Sequence, residues 1–99
     1  MQKKIVFVDK DLKDIFPQYL KNRYNDMAML SEAIKDDNFA SIQSVGHKIA
    51  GNAGGYGLDE LGELAHELEE SAKEKNKMAV QEYVGKMQQY LQEIEVNFR

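Results

Sequence analysis

Pro17 is the only proline in the chain, and apart from Gly85 the glycines cluster between positions 46 and 62. Long stretches with neither residue favour helix, because these two break helices most strongly. The chain has 99 residues, which fits one domain covering 1–99. A domain of that size can bury a core without staples, and the absence of cysteine rules out disulfides and thiolate metal sites. Seventeen acids against thirteen bases give a formal charge of −4 and no basic block, so nucleic acid is not an expected partner. No apolar run approaches the roughly 20 residues of a membrane span, and the first residues are too short for a secretory signal. A cytoplasmic protein with no membrane association is the expectation.

Apolar spacing divides the chain into helices. Residues 1–8 read as an extended N-terminal arm, since Ile5-Val6-Phe7-Val8 is strand-like but has no evident second strand to pair with. Asp9 or Asp11 can cap a short helix through Leu12, Ile15 and Phe16. Pro17 then suits the first turn of a helix running to about Lys35, with Leu20, Tyr24, Met27, Leu30, Ser31 and Ile34 on its inner stripe. Asp36-Asp37-Asn38 supplies a polar break with N-cap chemistry. The next helix buries Phe39, Ile42, Gly46, Ile49 and Ala53, and ends at Gly54-Gly55-Tyr56-Gly57. A further stripe is Leu58, Leu61, Ala65, Leu68 and Ala72, widened by Leu64. Asn76 caps the last helix, whose stripe is Val80, Val84, Met87, Leu91, Ile94 and Phe98. The expected fold is all-α: an antiparallel up-down four-helix bundle with a short additional N-terminal helix.

One histidine stands apart. At about 100° per residue, His47 points roughly 130° away from the core direction of its helix, and so into solvent. Gln43 and Gly51 flank it one turn away, and Ala40, Ser44, Ala50 and Gly54 complete the patch. All but Gln43 are small. Glycine inside a helix costs up to about 1 kcal/mol relative to alanine, so Gly51 and Gly54 point to a face kept bare for another protein. A lone surface histidine is ordinarily just a surface residue. His66 is read that way, solvated among Glu63, Glu67, Glu69 and Glu70. The spacing of His47 and His66 supplies no shared metal site. No phosphate-cradling glycine loop and no Ser/His/Asp arrangement can be placed, so neither a bound cofactor nor ATP is expected.

Residues 47–58, His-Lys-Ile-Ala-Gly-Asn-Ala-Gly-Gly-Tyr-Gly-Leu, resemble the histidine-containing phosphotransfer (HPt) domain. That family's signature is a histidine, a glycine four residues later, further glycines, and a Gly-Leu or Gly-Phe. Asp37-Asn38-Phe39 before it, Leu58-Asp59-Glu60-Leu61 and Leu68-Glu69 after it, and Asp9, Leu12, Phe16-Pro17 and Leu20 near the start agree with the pattern. The resemblance implies a phosphorelay intermediate and not a stand-alone catalyst. His47 would accept a phosphoryl group at Nε2 from a receiver phospho-aspartate or a hybrid sensor kinase and pass it to a response-regulator receiver. Ala40, Ala50, Gly51 and Gly54 would form the docking face, with Lys48, Gln43 and Ser44 around the phosphate, and the domain would be a monomer. The family commonly carries lysine three residues after the histidine. Here that residue is Ala50, and Lys48 lies about 100° from His47 on the helix. A domain that binds receivers without carrying phosphate is the alternative.

Overall fold

The computed structural model describes residues 3–99. Strand β1 (Lys4–Val8) leads through a single 3-10 turn (Lys10–Leu12) into helix α1 (Phe16–Lys35). Helices α2 (Phe39–Asn52), α3 (Asp59–Lys73) and α4 (Lys77–Glu93) follow, and strand β2 (Ile94–Phe98) closes the chain. A second 3-10 turn, Gly54–Tyr56, joins α2 to α3. The four long helices form a bundle in which each packs on its sequence neighbours and α1 also meets α4. Their connections, residues 36–38, 53–58 and 74–76, are short enough to turn each helix back along the one before.

Local chemistry explains the boundaries. Asn38 accepts a hydrogen bond from the Ser41 amide and Asn76 from the Ala79 amide, so both expected caps form. Pro17 stands in the first turn of α1, where no intrahelical N–H is needed. The stripes expected for α2 and α3 face the core, with Ile42, Ile49, Ala53, Leu58, Leu61, Ala65 and Leu68 fully enclosed and Phe39 and Leu64 half-buried. Gly57 adopts φ 79° and sits so close to β1 that a Cβ would lie 2.6 Å from the Phe7 carbonyl oxygen. Both facts require glycine there.

The structure differs from expectation in four places. The N-terminal arm is not unpaired: β1 pairs in parallel with β2, Lys4 opposite Ile94 and Val8 opposite Phe98. The last helix therefore stops at Glu93, and Ile94 and Phe98 belong to a strand. Ile94, Val96 and Phe98 alternate with exposed Glu95 and Asn97, a period of two that a short helical stripe can mimic. The short leading helix is reduced to the 3-10 turn capped by Asp9, and Phe16 already belongs to α1. In α1, Tyr24 is exposed, although its hydroxyl donates to the Leu91 carbonyl at 3.0 Å. Tyr19 and Arg23 are buried in its stead.

Arg23 is the polar surprise of the core. Its guanidinium lies 4.5 Å from the Tyr19 ring centroid, and Tyr19 stacks on Tyr56 at 3.8 Å. Arg23 Nη1 and the Tyr19 hydroxyl both donate to Asn52 Oδ1, at 3.2 and 2.6 Å. Arg23 Nε faces Asp26 at 2.9 Å as an ionic contact, not an aligned hydrogen bond. This network ties the end of α2 to α1 and so fixes the helix that carries His47.

Candidate functional site

His47 lies in the middle of α2 with its side chain 76% exposed. The opposite face of that helix is buried through Ile42, Val45, Gly46 and Ile49, so α2 cannot roll without opening the core. Gly46 brings α3 close: a Cβ there would meet the Ala65 carbonyl oxygen at 3.0 Å and the Glu69 amide nitrogen at 3.1 Å. The close approach of the two backbones sets Glu69 beneath His47.

Glu69 is the residue the helical wheel places wrongly. Read as part of a polar flank, its side chain is only 11% exposed, and its Oε2 lies 2.9 Å from His47 Nδ1. A carboxylate can only accept, so the ring nitrogen facing it carries the hydrogen. In the neutral imidazole this is the Nδ1–H tautomer, whose Nε2 lone pair is directed outward. Glu69 is also approached by His66 Nδ1, at 4.0 Å from Oε1, and by Lys73 Nζ, at 4.0 Å from Oε2. His66 is therefore not an isolated surface histidine. A glutamate one turn before a lysine on a helix that packs through glycine against the His47 helix was the available signal, but it required the pairing of α2 with α3.

The residues predicted around His47 divide into two groups. Ala40, Gln43, Ser44 and Lys48 line one shallow depression with His47, joined by Glu69 and Lys73. Ala50 and Gly54 instead line a groove between α2 and α3 with Asp59, Gly62, Glu63, Leu64, His66 and Glu67. Gly51 is exposed, with nothing within 4 Å of where its Cβ would stand. The small residues therefore do not share one depression: Ala40 lies beside His47, and Ala50 and Gly54 border α3.

No group of three or more His, Cys, Asp or Glu among the described residues could hold a metal ion. No helix among them is long and apolar enough to cross a membrane.

A family model described as the Hpt domain matches residues 14–97, most of the chain and all four helices. The chain belongs to the Hpt domain family. No curated protein and no solved structure gives a match. Membership supports a phosphotransfer role in two-component signalling, with the domain acting as a carrier module and not a stand-alone catalyst. Hpt domains work with receiver domains and kinases. In this Hpt domain the match spans α2 with His47 and α3 with Glu69, and ends inside β2.

Proposed function

We propose that His47 is the phosphorylated residue and that this Hpt domain relays phosphoryl groups to and from receiver domains. The observation that carries the reading is the Nδ1 contact with Glu69 at 2.9 Å beneath a ring that is otherwise in solvent.

The chemistry follows from that contact. The Nε2 lone pair attacks the phosphorus of a receiver aspartyl phosphate. The Nε2–P bond forms as the aspartyl O–P bond breaks, and the aspartate leaves as a carboxylate. The imidazole keeps its Nδ1 hydrogen and gains positive charge, which the Glu69 carboxylate offsets. A buried carboxylate behind an imidazole stabilises the developing imidazolium and holds its tautomer, as in hydrolase triads. Reversal hands the group to the next receiver. Phosphoryl transfer depends mainly on positioning and charge neutralisation, so the domain needs few residues of its own. Ala40, Ala50, Gly51 and Gly54 form the face on which the receiver docks, and Gln43, Ser44 and Lys48 border the phosphate.

Ala50 favours one other reading, a module that binds receivers without accepting phosphate, because the usual lysine is missing. The oriented imidazole weighs against it, since mere binding requires neither a fixed tautomer nor a buried carboxylate behind the ring. Incubation with radiolabelled phospho-receiver separates the two. Acid-labile, base-stable label on His47 is the expected result; binding without label would establish the module instead.

A further inference from the structure

We propose that Lys73, at the end of α3, is the cation that neutralises the phosphoryl group on His47. The proposal rests on the phosphorelay reading for its purpose, but not for its test. Lys73 follows Glu69 by one helical turn and so shares its face. Its Nζ lies 4.0 Å from Glu69 Oε2, the same oxygen that sits 2.9 Å from His47 Nδ1. It also lies 3.4 Å from Glu70 Oε1. Lys73 lines the depression around His47 and is 46% exposed, so its ammonium can swing toward the ring without leaving a buried site.

The other candidates are less well placed. Position 50, where a lysine would be expected, opens on the groove with Glu63, His66 and Glu67. Arg23 is buried and committed to Asp26 and Asn52. Lys48 borders the depression but forms no ion pair among the described residues that would hold it there. Lys73 is already held at the site by two carboxylates.

Phosphorylation adds close to two negative charges at neutral pH. A phosphoryl dianion on Nε2 competes with Glu70 for Lys73, while Glu69 remains engaged with Nδ1. The cation then comes from α3 and not from the helix that carries the histidine. It approaches from the side away from Gly51 and Gly54, so it leaves the bare docking face clear.

The test needs no partner. Potassium phosphoramidate phosphorylates the domain: Nε2 of His47 attacks phosphorus, the P–N bond of the reagent breaks, and ammonia leaves. A His66→Asn background confines the product to His47. The second protonation of the phosphoryl group is then followed by phosphorus NMR in the parent, Lys73→Gln, Lys73→Arg and Lys48→Gln, with helix content checked by circular dichroism. A nearby cation holds the phosphoryl group in its dianionic form. Lys73→Gln should therefore bind the phosphoryl proton about two- to five-fold more tightly, the size of a partly exposed charge contact. The difference should shrink in high salt, and Lys73→Arg should restore the parent titration. An unchanged titration in Lys73→Gln, or a larger change in Lys48→Gln, would overturn the assignment. Relay is read separately, by passing the label to a receiver domain. If that transfer fails while the Lys73 effect is present, the relay reading falls and the cation assignment stands.

Discussion

At the residue scale, His47 has one buried neighbour in space and an open flank. Glu69 meets its ring at Nδ1, and Gly51, one turn along α2, has nothing within 4 Å of its Cβ position. Replacing Glu69 by Ala should slow phosphorylation of His47 roughly ten-fold or more, since a hydrogen bond to a charged group contributes about 1.5–3 kcal/mol. Glu69→Gln keeps an acceptor for Nδ1–H without the charge, so its rate should fall between the two. Single-turnover labelling of both variants measures this, and parental rates in Glu69→Ala would mean the contact is incidental. Gly51→Gln tests the open face. With nothing within 4 Å of its Cβ position, the longer side chain fits, and helix propensity improves by up to about 1 kcal/mol. The variant should melt at or above the parent temperature yet transfer more slowly, because the new side chain would obstruct the proposed docking face. The exposure of His47 was legible in the sequence, because a single wheel decides it. The role of Glu69 was not, because it depends on how two helices meet.

At the element scale, α2 and α3 make the site together. Gly46 allows their backbones to approach, and a methyl group at that position would press on the Ala65 carbonyl and the Glu69 backbone. Gly46→Ala should destabilise the fold by about 1–3 kcal/mol, the usual cost of overpacking, despite the gain in helix propensity. It should also weaken labelling of His47 by moving Glu69. Chemical denaturation and labelling of the same variant check both effects, and a more stable, fully active protein would remove the close-packing argument. The helices, their caps at Asn38 and Asn76, and the buried stripes of α2 and α3 could be read from periodicity and capping chemistry. The strand pair could not be read as easily. Its two halves lie at opposite ends of the chain, and Ile94 and Phe98 happen to continue the spacing of α4. A strand is defined by its partner, and five residues of alternation do not reveal one. Arg23 escaped for a similar reason: Asp26 and Tyr19 lie on its own helix, but Asn52 comes from α2, and the burial of the group depends on how the two helices meet.

At the scale of the molecule, the bundle is closed at one end by β1 and β2. Tyr90 lies in that region, 4% exposed. Burial, with the acidic Glu60 and Asp59 nearby, pushes its hydroxyl up to about 12 from an ordinary 10.0. Between those values the unfolded chain loses this proton while the folded one keeps it, so the folded state binds more protons and stability falls as pH rises. The contribution is complete below the unfolded value and is lost progressively through about pH 12. Tyr19, also raised mainly by burial, acts in the same direction. Denaturation curves across this range should show that slope, and Tyr90→Phe should flatten it; an unaltered slope in that variant would place the titration elsewhere.

The proposed role of the Glu69–His47 contact is tested most directly by which ring nitrogen accepts the phosphoryl group. Long-range proton–nitrogen NMR spectra of ¹⁵N-labelled protein, taken before and after phosphorylation by a phospho-receiver, distinguish the two ring nitrogens of His47 and of His66. The expected result is the Nδ1–H tautomer at His47 beforehand and a phosphoryl group on its Nε2 afterwards, with His66 unmodified. Phosphate on Nδ1 of His47, or on His66, would contradict it.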